Sequence, residues 1–126
     1  QNKIKGVDLP GFVSEADRHR YTREAKWMVT PPHTHEDLGL TPLEARAVGV
    51  PCIISKDGGV KETGGPNALT CEPGCVDSLL ERLREAIVMS DEKYFQHCKM
   101  AKENLQDYVR PLDEYSKDYL ALLRKA

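Results

Sequence analysis

The sequence predicts an α/β fold: a parallel sheet with helices covering both faces. Short runs rich in apolar and β-branched residues, at Trp27–Val29, Pro51–Ser55 and Ala68–Cys71, alternate with segments whose apolar residues recur every three or four positions. Capping residues and glycines mark the joins between them. Alternation of this kind buries parallel strands between helices. Ligands of such sheets bind beyond the carboxyl ends of the strands, where loops lead into helix N-termini.

Taken in order, Ile4 to Leu9 reads as a first short strand, closed by Pro10 and Gly11. Ser14 stands at an N-cap with Asp17 three residues on, so a helix is expected from Glu15 to Glu24, its outer face carrying Arg18, Arg20 and Arg23. Trp27 to Val29 is a buried-strand candidate that stops at Pro31 and Pro32. After the polar stretch His33–Gly39, Thr41 is the expected N-cap of a short helix, with Pro42 at its first position and Glu44 completing a capping box. Gly49 ends it as a left-handed terminator. Pro51–Ser55 is a fully buried strand by composition, the Gly58–Pro66 stretch is a glycine-punctuated loop around Glu62, and Ala68–Cys71 is a further strand.

Beyond that point the pattern is helical. Val76, Leu79, Leu80, Leu83, Ala86 and Ile87 form one apolar face. Ser90 caps a second helix with the stripe Tyr94, Cys98, Ala101, Leu105 and Tyr108. Pro111 opens a third, with Leu112, Tyr115, Tyr119 and Leu122 on one side. All three stripes are expected to pack into the core.

The chain has 126 residues, the size of one domain or part of one. Eighteen basic against 20 acidic residues leave a net charge of −2, which argues against nucleic acid or an anionic membrane surface as partner. Apolar runs are only a few residues long, too short for a membrane span, and no signal-peptide pattern is present. Cys52, Cys71, Cys75 and Cys98 show no repeating metal-ligand spacing and read as reduced thiols of a cytoplasmic protein; a zinc site on Cys71 and Cys75 is disfavoured. The chain opens on Gln1 almost directly inside a strand-like run, and a fragment, or a chain whose beginning is missing, is the expectation.

The segment that carries chemistry is HTHEDLGLTPLEARAVG, His33 to Gly49. Glu36 and Glu44 flank Gly39-Leu40-Thr41 at the mouth of the short helix. Amides at a helix N-terminus are unpaired and carry the positive end of the helix dipole, which suits a phosphate. Gly39 permits close backbone approach. Glu36 is placed to accept from hydroxyls, although Glu44 as a cap and Glu36 as a solvated acid would satisfy the same spacing. His33 and His35 adjoin Glu36 and Asp37, an arrangement that invites a metal but more commonly stays solvated. Lys56, Asp57 and Lys61 flank the glycine loop, which is expected to face the ligand.

The run EDLGLTPLEARAVGVPCIIS closely resembles the E-x7-E signature of glycosyltransferase family 4, the group 1 transferases of GT-B fold. The matching positions are Glu36, Gly39, Leu40, Glu44, Ala45, Ala47, Gly49 and Pro51. Gly58-Gly59 with Glu62 looks like the family's GG-x-x-E, and Gly11-Phe12-Val13, Tyr21 and Ala25 keep its upstream order. The resemblance implies a Rossmann-like parallel sheet with flanking helices, part of a GT-B C-terminal domain. Residues 1–126 would form its nucleotide-sugar-binding part, with 1–73 carrying the E-x7-E motif and 74–126 the closing helices.

The same resemblance implies a retaining hexosyltransferase that uses a nucleotide diphosphosugar, with no cofactor and no obligatory metal. Glu36 is then the catalytic-site acid that holds donor-sugar hydroxyls. Gly39, Leu40 and Thr41 offer amides to the diphosphate, Glu44 binds the ribose, Phe12 and Val13 approach the nucleobase, and His35 meets a donor or acceptor hydroxyl. An acceptor sugar, glycan or lipid is the second substrate. The family's diphosphate-neutralising Arg and Lys and its acceptor domain belong to upstream segments, so partners are expected to include missing N-terminal segments of the same protein or another chain. The isolated chain is accordingly expected to be inactive; Arg18, Arg20 and Lys56 read as a solvated face and not as substitutes. Rival readings are a binding module without catalysis, for a nucleotide sugar or a protein partner, and a fragment of a GT-B nucleotide-sugar epimerase.

Overall fold

The computed structural model describes residues 4–35, 37–103 and 105–124. Three parallel strands, β1 (Met28–Thr30), β2 (Cys52–Ser55) and β3 (Leu69–Cys71), lie in the order β1-β2-β3. Val29 stands opposite Ile53, and Ile53 opposite Leu69, so all three carboxyl ends share one edge of the sheet. The helices are α1 (Glu15–Glu24), α2 (Leu40–Ala47), α3 (Val60–Thr63), α4 (Val76–Val88), α5 (Asp91–Glu103) and α6 (Leu112–Leu123), with a 3₁₀ turn at Leu105–Asp107.

Side chains alternate across a strand, and the central strand β2 is buried on both sides. Cys52 and Ile54 pack on one face with Ala45, Val50 and Val60 from α2, α3 and the turn after α2. Ile53 packs on the other with Leu69, Ala86, Leu79 and Leu83, the inner side of α4. Sheet and both helical layers thus follow the predicted α/β plan. Trp27 anchors α5, its ring lying 5.9 Å from Tyr94 and 5.6 Å from His97. His97, which carries no sequence signal, exchanges hydrogen bonds with Asn67: Asn67 Nδ2 donates to His97 O at 2.8 Å, and His97 Nδ1 lies 2.9 Å from Asn67 O.

Local signals are realised at α1 and at the end of α2. The Ser14 hydroxyl accepts from Asp17 N at 3.1 Å, and the same hydroxyl, then Arg20, holds the Asp17 carboxyl below its ordinary range. Gly49, at φ +82°, terminates α2 in a doubly bonded turn: Gly49 N donates to Arg46 O and Val50 N to Ala45 O, both at 2.9 Å.

Arg46, which the sequence analysis does not single out, is fully buried. Its Nη1 donates to Thr63 O at 2.7 Å and its Nε to Ala101 O at 3.3 Å. Those carbonyls belong to the last residue of α3 and the last turn of α5, where unpaired oxygens form the negative end of the helix dipole. Gly65 lies against this guanidinium so closely that a Cβ there would stand 2.9 Å from Arg46 Cζ.

Several expectations are corrected. Ile4–Leu9 is no strand: Ile4, Val7 and Leu9 are exposed, and a turn through Gly6 (φ +84°) joins Val7 N to Ile4 O. A strand requires a neighbour to pair its backbone, and the described residues provide none there. Trp27–Val29 shifts to Met28–Thr30, an edge strand whose Val29 is 39% exposed. The Gly58–Pro66 loop contains the short helix α3. Val76, Leu80 and Ile87 of α4 are exposed, so only part of its stripe is core. The α6 stripe is not core either, because Leu112, Tyr119 and Leu122 are exposed and Tyr115 only half-buried, its hydroxyl donating to Tyr108 O.

Replacing Arg46 by Met removes a buried cation and leaves two carbonyls short of a donor; an unfolding stability loss of about 2–4 kcal/mol is expected. Urea denaturation measures it, and a loss below about 0.5 kcal/mol would show that Arg46 holds nothing together. All four cysteines are free. Burial pushes the Cys52 thiol up to about 12 and also raises that of Cys71, whereas Cys75 is exposed. Iodoacetamide at pH 8 should therefore label Cys75 in the native protein and reach Cys52 and Cys71 only after unfolding, as read by peptide mass spectrometry.

Candidate functional site

The parallel sheet gathers three loops at its carboxyl edge: Pro31–Gly39 after β1, Lys56–Gly59 after β2 and Glu72–Cys75 after β3. Glycine decides how closely the first two approach. A Cβ on Gly59 would fall 1.7 Å from Asp37 O, so no other residue fits without parting the loops. Thr63 Oγ1 donates to Leu38 O at 2.9 Å and fixes the same strand of backbone from below. His35 Nδ1 lies 3.4 Å from Asp57 Oδ1, which also accepts from Gly58 N at 2.8 Å. His35 and the glycine loop, predicted separately, are therefore in contact.

The N-terminus of α2 opens from this junction. Its cap is Gly39, at φ +71°, a backbone state that favours glycine, and no side chain bonds to the cap position. Leu38, Leu40 and Thr41 are exposed around it, while Pro42 and Ala45 anchor the helix in the core. The predicted Thr41 cap is thus corrected: the helix begins two residues earlier, at Leu40, and the capping box does not form. Glu44 turns instead to α1, where Arg18 Nη1 donates to its Oε2. A full guanidinium charge outcompetes the partial charge of a helix terminus. Both partners are nearly half exposed, so the pair is worth only about 0.2–1 kcal/mol of stability. Glu36 lies outside the described residues.

Two cavities lie beside these elements, the second of them at the carboxyl edge. One of about 190 Å³ lies between α1 and α2, lined by Arg18, His19, Thr22, Glu44, Ala47 and Val48. The other, about 250 Å³, is bordered by Pro31, His33, Cys71, Glu72, Cys75 and Leu79 on the α4 side. Two buried hydroxyls, Thr30 Oγ1 and Ser55 Oγ, end β1 and β2 without a hydrogen-bond partner among the described residues. No cluster of three His, Cys, Asp or Glu side chains suited to a metal occurs among them. Phe12 is fully solvent-exposed and Val13 half-buried, just ahead of α1. Arg20 is paired with Asp17 and Glu24, and Lys56 with Glu72. Arg18, read from the sequence as part of a solvated face, is instead tied to Glu44, a partner 26 positions away that no local pattern announces.

A family model described as glycosyl transferases group 1 matches residues 2–107. The chain belongs to that family. No curated protein matches it. Group 1 glycosyltransferases transfer sugars, and the sheet with its flanking helices is the Rossmann-like α/β architecture of part of a GT-B domain. In this glycosyltransferase chain no helix among the described residues is long and apolar enough to cross a membrane.

Gly59→Ala tests the loop junction: with rigid backbone as the obstacle, a loss of about 2 kcal/mol or more is expected, together with faster hydrogen exchange at Thr63 and Gly64, whose amides are bonded to Gly59 O and Val60 O. Unchanged exchange would mean that the two loops are not held by this contact.

Proposed function

We propose that this chain supplies most of the donor site of a retaining hexosyltransferase whose donor is a nucleotide diphosphosugar. The supporting observation is the α2 N-terminus, which carries no side-chain cap behind Gly39 and stands at the carboxyl edge of a parallel sheet. The amides of Gly39, Leu40 and Thr41 receive the diphosphate there. Glu44 accepts from the ribose hydroxyls, and the Phe12–Val13 loop approaches the base. Glu36 holds the sugar hydroxyls, and His35, steadied by Asp57, meets a donor or acceptor hydroxyl. Residues 1–73 carry these groups, and 74–126 form the closing helices behind them.

In the reaction, the bond from the anomeric carbon to the leaving phosphate oxygen breaks as an acceptor hydroxyl, of a sugar, glycan or lipid, attacks on the same face and passes its proton to the departing phosphate. Positive charge builds on the ring and negative charge on the departing phosphate. The helix amides stabilise that negative charge where it develops. No cofactor and no obligatory metal take part. The free buried thiols of Cys52 and Cys71 suit a reducing, cytoplasmic setting. A binding module without catalysis is the second reading, favoured by Arg20 and Lys56 being engaged by carboxylates and so kept off a diphosphate.

Calorimetric titration with nucleotide diphosphosugars tests the donor site: Glu44→Ala is expected to weaken binding about tenfold, the value of one charge-assisted hydrogen bond. Equal binding by both proteins removes the ribose role. For the complete protein, transfer of a labelled sugar should survive EDTA and give a product of unchanged anomeric configuration by NMR; inversion would refute the retaining assignment, and absence of transfer would favour the binding module.

A further inference from the structure

Arg18 reaches across the cleft between α1 and α2 to the carboxylate that the donor-site reading assigns to the ribose. Its Nη1 donates to Glu44 Oε2, and its Nη2 lies 3.3 Å from His19 Nε2. The other Glu44 oxygen, Oε1, has no hydrogen-bond partner among the described residues. The pair stands at the mouth of the cavity of about 190 Å³, whose further walls include Ala47 and Val48.

A glutamate on an open helix face samples many rotamers, and fixing it at the moment of binding costs entropy. A carboxylate already held by a planar guanidinium is oriented in advance. The small contribution of such a half-exposed pair to folding leaves orientation as its use.

We propose that Arg18 is a positioning residue for the donor's ribose: it holds Glu44 by one oxygen and leaves the other to accept from the ribose hydroxyls. This rests on the donor-site reading above and adds a residue to it. Arg18 touches Glu44 and not the reacting atoms, so its effect is confined to how strongly ribose hydroxyls count in binding.

The test compares the affinity of the chain for UDP, ADP and GDP with that for their 2′,3′-dideoxy counterparts, by calorimetry, in the wild type, Glu44→Ala, Arg18→Met and Arg18→Lys, with thermal melts to verify folding. The readout is the ratio of the two affinities for the nucleotide bound best. A ratio of about ten is expected in the wild type. It should fall towards one in both Glu44→Ala and Arg18→Met, and stay near the wild-type value in Arg18→Lys. An Arg18→Met ratio equal to that of the wild type, beside a collapsed Glu44→Ala ratio, overturns the role of Arg18 alone. So does a uniform weakening of both nucleotides, the sign of a merely structural residue. A Glu44→Ala ratio like the wild type, or no binding of any nucleotide, overturns the donor-site reading and this inference with it.

Discussion

Three helices end on one buried guanidinium. Arg46 leaves the last turn of α2, bonds the terminal carbonyl of α3, and bonds a carbonyl in the last turn of α5. Each of those ends would otherwise bury oxygens with no donor, which is costly away from water. The cation therefore sets where α3 and α5 stop relative to α2, and Gly65 is needed because the guanidinium occupies the space a side chain would take. The stacking of Tyr108 over the same group, 5.5 Å from ring centroid to Cζ, ties in the turn after α5.

From that fixed point the candidate site follows by short steps. Thr63, whose carbonyl Arg46 holds, uses its hydroxyl to hold Leu38 O, one residue before the Gly39 cap. Gly59 closes the same junction from the neighbouring loop. The open amides of α2 are thus positioned by backbone and buried side chains, with little left to flexible surface groups. Sites built on rigid elements in this way keep their geometry before a ligand arrives.

What the sequence made readable was local. Ser14 with Asp17 marked the start of α1, Gly49 the end of α2, and the continuous apolar run at Cys52–Ser55 the central strand. The EDLGLTPLEA segment carried the family resemblance, which the family match bears out, and the structure places it where α2 begins at the edge of the sheet. What escaped was set by distant partners. A capping box for Thr41 and Glu44 is sound by spacing, yet Arg18 takes Glu44 from another helix. Arg46 went unmarked because its partners lie 17 and 55 positions on. Ile4 to Leu9 has the composition of a strand, but composition does not provide a neighbour to pair with. The α6 stripe has helical spacing, but spacing does not say which surface covers it.

The edge strand β1 also bears on how the molecule behaves among copies of itself. An open rim of unmatched backbone groups is the usual starting point for unwanted strand-to-strand adhesion. Among the described residues that rim is three residues long and runs straight into Pro31 and Pro32, which have no amide hydrogen to offer a visiting strand. Brevity and imide chemistry together blunt the border, so crowding gives little foothold for ribbon growth along that side.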